Sequence, residues 1–195
     1  GYSSAASDVY KRQHEAIVAA AQSERSGIVK AANDLRDAGF AVDIVSVGSS
    51  PTLMCSQSEV GVTEIRAGVC ALFDLFMSNV GICRINDIAV SVLTTVIGRK
   101  TDKRRVITDS GFLAMSRDRG TARQKTDYGY GLVCDVNGEP LDSGKILLTG
   151  TNQEHGIITL PADSSLAQSD FPIGRRLRVL PNHCLLYTSP SPRDS

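Results

Sequence analysis

From about Gly81 onward the chain breaks into short apolar or β-branched runs: IAVSVLTTVIG, RVITD, FLAMS, GLVCD, KILLTG, GIITL and RRLRVLPN. Polar or Gly/Pro turns separate them and no convincing helical period interrupts them, a pattern that leads to strands packed as a sheet rather than to helices. Residues 81–183 are therefore expected to form an all-β domain. Within VCDVNGEPL, Asn137-Gly138 predicts a type I′ hairpin between flanking strands. The basic run Arg99-Lys100-Thr101-Asp102-Lys103-Arg104-Arg105 lies between two of the runs without interleaved aromatics, which predicts a solvated hairpin loop and not a nucleic-acid patch.

The preceding residues have a different texture. From His14 to Ala38 the chain is rich in alanine, with Ile28, Ala31, Ala32 and Leu35 at helical spacing and Gly39 placed to end the helix. FAVDIVSVGSS follows, a β-branched run that reads as a buried strand feeding a small-residue loop. Val62–Asp74 (VTEIRAGVCALFD) is a second possible strand, with Gly68 where the backbone bends or approaches a ligand. The fold class expected is α/β followed by all-β, with domains at 14–80 and 81–183. No internal repeat is visible.

The two ends, GYSSAASDVYKRQ (1–13) and CLLYTSPSPRDS (184–195), carry serine or proline and no hydrophobic period. Both resemble translated sequencing-adapter read-through, so both are expected to be artefacts and are set aside from the fold; ordinary disordered tails are the alternative.

Composition narrows the function. Among the 195 residues, Lys+Arg and Asp+Glu each number 21, so no net field draws in nucleic acid or an anionic membrane. The five cysteines form no CxxC pair, and no apolar run or leader suits a membrane or secretion. The expectation is a cytoplasmic protein with a small-molecule partner.

Two clusters could bind an anion. Gly48-Ser49-Ser50 ends the first predicted strand, where glycine admits backbone N–H groups and serine hydroxyls add donors for a phosphate monoester. Read alone it is a plain strand-to-loop turn before it is an anion site, since Gly and Ser dominate turns. Arg66-Ala67-Gly68-Val69 offers a second pair of amides. His155, in Gln153-Glu154-His155-Gly156, is either a hydrogen-bonded histidine near a strand start or a site residue. Ser116-Arg117-Asp118-Arg119-Gly120 reads as a charged turn.

VSVGSSPT followed by GVTEIRAG resembles the last two barrel strands of fold-type III pyridoxal-phosphate enzymes. ITDSGFLAMSRDRGT, GYGLVCD, NQEHGI and LRVLPNH resemble, in that order, the β-domain of the D-threonine aldolase and D-serine dehydratase family. The resemblance covers residues 14–183. It implies a remnant of a pyridoxal-phosphate-binding (β/α) barrel plus a C-terminal β-domain of alanine racemase-like plan. It also implies cofactor contacts at Gly48, Ser49, Ser50, Gly68 and Val69. Where the family has an aromatic residue two positions after the glycine of its RxG motif, this chain has Cys70.

The resemblance further implies a divalent metal, zinc or manganese, held by His183 of the PNH segment and by a Cys or Asp two residues later. That position is Leu185, which cannot ligate; Cys184 is adjacent and, by strand alternation, faces away. The Schiff-base lysine of the family lies on an early barrel strand upstream of this chain, so no catalytic residue is assigned. None of Lys11, Lys30, Lys100, Lys103, Lys125 and Lys145 is a good substitute. The function implied is a pyridoxal-phosphate- and metal-dependent lyase for D-3-hydroxy amino acids, homodimeric at full length, of which this piece is expected to be inactive and poorly stable. Aldolase and dehydratase remain open, as do an amino-acid racemase and a non-catalytic pyridoxal-phosphate-binding protein.

Overall fold

The computed structural model describes residues 2–184, and their contacts divide into two units, residues 1–71 with 80–82 and residues 72–79 with 83 onward. Residues 185–195, which hold Leu185 and most of the second adapter-like string, lie outside the described residues.

The first unit opens with helix α1 (Tyr2–Asp37), so the backbone is helical well before the periodic part that begins at His14. Gly39 ends it as expected: its φ of 88° lets the Phe40 N–H reach the Leu35 carbonyl at 3.0 Å while its own N–H reaches that of Arg36 at 2.9 Å. Of the predicted apolar stripe, Ala32 is buried but Ile28 and Leu35 are exposed.

Strand β1 (Ser46–Val47) pairs in parallel with β2 (Glu64–Ile65), and α2 (Ser50–Cys55) lies between them in sequence. The long buried strand expected from Phe40 is thus corrected to two residues. Val45 is buried at 2%, but Phe40 and Ile44 are 63% and 65% exposed. Among the described residues β1 has one partner strand, and a ladder of two short strands cannot enclose a β-branched run on both faces. Val62–Asp74 contributes only β2 to the sheet, then turns through a 3-10 helix at Val69–Ala71.

The second unit contains α3 (Leu75–Asn79), β3 (Val92–Lys100), β4 (Arg105–Thr108), α4 (Phe112–Met115), β5 (Gly131–Cys134), β6 (Leu148–Thr151), β7 (Gly156–Thr159) and β8 (Arg176–Pro181). Its six strands form one antiparallel sheet in the order β5-β8-β3-β4-β7-β6. The sheet nearly closes on itself, because Tyr130 N–H donates to Leu148 O at 2.8 Å and Val133 N–H to Ile146 O at 3.0 Å. Inside it Val96, Val106, Val133, Ile146, Leu148, Ile158, Phe171, Leu177 and Val179 are wholly buried. Each contributes about 1.5–3 kcal/mol of transfer free energy. The fold class, α/β followed by all-β, is observed.

Two local expectations are corrected. FLAMS forms helix α4 and not a strand. The N–H groups of Phe112 and Leu113 bond the carbonyls of Asn152 and Gln153, which docks the segment against the loop before β7. Gly111 is needed for that approach, since a Cβ there would stand 2.3 Å from Gln153 O. The Asn137-Gly138 turn is not type I′, for Gly138 has a φ of 96° while Asn137 stays outside the left-handed region. The Asp135 carboxylate instead accepts the Asn137 and Glu139 N–H groups at 2.8 and 3.0 Å, and a 3-10 helix at Leu141–Gly144 follows where a strand was expected. The basic run does form the β3–β4 hairpin, with Lys100 opposite Arg105. No helix among the described residues is long and apolar enough to cross a membrane.

Candidate functional site

In the first unit, the parallel pairing of Ser46 with Glu64 and Val47 with Ile65 makes both strands end on the same side. Gly48-Ser49-Ser50 and Arg66-Ala67-Gly68-Val69 leave from those neighbouring carboxyl ends, the position from which α/β barrels and sheets present ligand-binding loops. Arg66 N–H donates to Val47 O at 2.9 Å. A Cβ on Gly48 would meet Arg66 Cβ at 3.4 Å, so the two segments touch. At Gly68 no atom lies within 4 Å of a Cβ position, and its φ is not positive. Neither packing nor backbone geometry requires glycine there. Ser50 is buried, Ser49 and Gly48 are exposed, and Val69 is partly buried.

His183 belongs to the second unit, just beyond the end of β8. Its Nδ1 lies 3.3 Å from Asp74 Oδ2, and the same oxygen accepts the Cys184 N–H at 3.0 Å. Asp74 Oδ1 accepts the Met77 N–H at 2.9 Å, the bond of a cap on α3. The Asp74 side chain is 1% exposed and that of His183 is 37% exposed, so the carboxylate is sealed below an imidazole that still reaches solvent. An ionised carboxylate only accepts, so with the ring neutral this contact is a hydrogen bond when the proton is on Nδ1, the tautomer in which Nε2 keeps its lone pair. That is the state in which a histidine ligates a metal, backed by a carboxylate behind the ring. His183 therefore fits the ligand role, although no group of three or more candidate ligands gathers among the described residues. The Cys184 side chain is buried beside it.

Asn182 explains how the PNH segment is held. It is 2% exposed, and its amide donates to the carbonyls of Asp118 and Gly129 at 2.9 and 2.7 Å while accepting from Thr121 Oγ1 at 2.9 Å. The Ser116–Gly120 segment is thereby tied to the residue before His183 and is more than a solvated turn. Ser116 is buried with φ 70° and ψ 170°, a region that disfavours side chains, and its hydroxyl accepts the Asp118 N–H at 2.9 Å. The Arg117 guanidinium covers the Phe112 ring at 3.9 Å.

Other candidates stand apart. His155 is exposed, and its carbonyl accepts the Asn152 N–H at 2.8 Å. Lys30, Lys100, Lys103, Lys125 and Lys145 are all exposed, Lys145 in an ion pair with Asp163 at 2.8 Å. Burial, then the charges of Asp74 and Asp87, push the Cys83 thiol up to about 11, which keeps it protonated at neutral pH.

The family model described as "Putative serine dehydratase domain" matches residues 89–188. The chain belongs to this serine dehydratase domain family. Over 173 residues it is 54% identical to D-threo-3-hydroxyaspartate dehydratase of Delftia sp. strain HT23, covering 87% of this chain and 44% of that protein. The solved structure of that enzyme superposes with a TM-score of 0.82 and 50% identity, over 90% of this chain and 46% of the other. One of its solved forms is a cysteine-to-alanine mutant in the metal-free form. D-serine dehydratase of Dictyostelium discoideum is 32% identical over 162 residues, 78% of this chain and 38% of that protein. D-threonine aldolase from Filomicrobium marinum shares the fold, at a TM-score of 0.52 and 17% identity over 76% of this chain and 36% of that one. The chain thus spans somewhat under half the length of these dehydratases.

Two residues that hold the His183 segment were not singled out in the sequence, Asp74 and Asn182. Asp74 sits in ALFDLF with no motif around it. The available signal was an acid immediately before LFMSN, a cap position, which says nothing about a histidine 109 residues away.

Proposed function

We propose that this chain serves a lyase that eliminates water from a D-3-hydroxy amino acid, with pyridoxal phosphate and a divalent metal as cofactors. The observation that carries the proposal is the 54% identity, sustained over 173 residues, to an enzyme that dehydrates D-threo-3-hydroxyaspartate. It favours dehydration over the aldol cleavage and racemisation that the sequence left open. When bound, pyridoxal phosphate would supply an electron sink and the metal a Lewis acid.

This chain's own residues supply the grip. The backbone amides at Gly48–Ser50 and at Gly68–Val69, with the Ser49 hydroxyl, would hold the phosphate. His183 would hold the metal through Nε2, and Asn182 fixes the loop on which it stands.

A graft tests the reading. Residues 14–183 of this chain replace the matching part of the Delftia enzyme, whose own residues continue after position 183. On D-threo-3-hydroxyaspartate the graft is expected to release oxaloacetate and ammonia. Glyoxylate and glycine would instead mark an aldolase, and an epimerised substrate a racemase. A folded, cofactor-loaded graft giving none of these would overturn the proposal.

A further inference from the structure

We propose that Asp74 is a positioning residue that locks the His183 imidazole in its Nδ1–H tautomer and so presents Nε2 to a divalent cation. The proposal rests on the reading of His183 as a metal ligand, and it deepens that reading by naming what makes the histidine a ligand.

The carboxylate is committed to the segment that carries the histidine. Oδ2 faces His183 Nδ1 at 3.3 Å and takes the Cys184 N–H at 3.0 Å, so one oxygen sets both the ring and the backbone that follows it. Oδ1 takes the Met77 N–H at 2.9 Å, which anchors the carboxylate to α3. A further backbone bond, Phe76 N–H to Asn182 O at 3.3 Å, joins the residue after next to the residue before the histidine. The Asp74 side chain is 1% exposed and so shielded from competing solvent, and an ionised carboxylate in that place favours the ring tautomer that donates to it from Nδ1. A helix cap alone uses one oxygen and would leave Oδ2 free to turn elsewhere. Here both oxygens are engaged, the second by the histidine and its neighbour.

The test reads the tautomer directly, in metal-free protein, by 15N imidazole NMR at a pH where His183 is neutral; His183→Gln assigns the signals. The wild-type ring is expected as Nδ1–H with an unprotonated Nε2. Asp74→Ser keeps a capping hydroxyl for the Met77 N–H but removes the acceptor at the ring, and is expected to return His183 to the Nε2–H form that a free imidazole prefers. Asp74→Asn serves in its place if the serine variant does not fold. Addition of Mn2+ alone to the graft, in which the relative's residues follow His183, should broaden the His183 ring signals when position 74 is Asp. The serine variant should need roughly tenfold more Mn2+, the usual order for losing a partner behind a metal ligand. A wild-type Nε2–H tautomer, or one unmoved by either substitution, would overturn the positioning role. The expected tautomer shift with no Mn2+ effect on the ring would uphold that role and remove the metal reading beneath it.

Discussion

The two units of the chain differ in what their apolar side chains have to pack against. In the β-rich unit six strands curl until β5 and the segment entering β6 share hydrogen bonds, and Phe171, Val96, Ile158 and Leu177 are wholly buried. In the first unit a long helix accompanies two strands of two residues, while Phe40, Ile44 and Ile65 remain in solvent at 63%, 65% and 43% exposure. Similar residue types thus have different energetic weight. A nearly closed sheet converts β-branched residues into a core and pairs its own backbone, whereas a two-stranded ladder does neither. The metal-ligand candidate is built on the first kind of scaffold and the phosphate-site candidate on the second.

The largest effect that would sharpen this contrast is Phe171→Ala. Emptying the centre of the β-rich core should cost about 3–5 kcal/mol, read as a lower urea midpoint of strand-detected unfolding. A midpoint within error of wild type would break the comparison.

Acid should expose a second, smaller difference. At Asp109, burial raises the carboxyl pKa, but the Thr95 N–H and Thr94 hydroxyl donate to it and together hold it below the ordinary value. Those bonds measure 2.7 and 2.8 Å. A depressed folded pKa means that the stabilisation is fully present above the ordinary carboxylate range and is lost as pH falls through the folded value. Asp109→Asn should therefore lower stability at pH 7 and shrink the loss between pH 7 and pH 3, both measured by urea unfolding of the β-rich unit. An unchanged pH dependence would exclude Asp109 as a source of it.

The smallest effect belongs to Phe40→Ser. Exposed as Phe40 is, its loss should change the urea midpoint by no more than about 0.5 kcal/mol of stability. A large loss would mean that the first unit has a core that exposure does not reveal.

Particular residues mark how far the sequence could be followed. Gly39 ends α1, and the runs at β3, β4, β5, β6, β7 and β8 became strands, because a helix stop and a strand period are local properties written in adjacent residues. FLAMS has the composition of a strand and became α4, because the preceding Gly111 lets the chain dock on Asn152 and Gln153. Asn137-Gly138 has the letters of a type I′ turn, but the Asp135 carboxylate organised a different one. Each departure comes from a partner distant in sequence or from a side chain competing for backbone N–H groups.

The site divides in the same way. The small residues Gly48, Ser49, Ser50 and Gly68 and the PNH motif around His183 were legible as residue types in order. Their juxtaposition was not: the pairing of β1 with β2 sets Gly48 beside Arg66.

By itself the sequence determined the six strands of the β-rich unit and the helix stop at Gly39. Only the tertiary structure decided which groups stand behind the histidine: Asp74, 109 residues from His183 in the chain, and Asn182, bonded to Asp118, Thr121 and Gly129. The physical reason is that propensity and period act over a few residues. A buried carboxylate finds its donors only when the packed fold has excluded water and brought remote segments within hydrogen-bond reach.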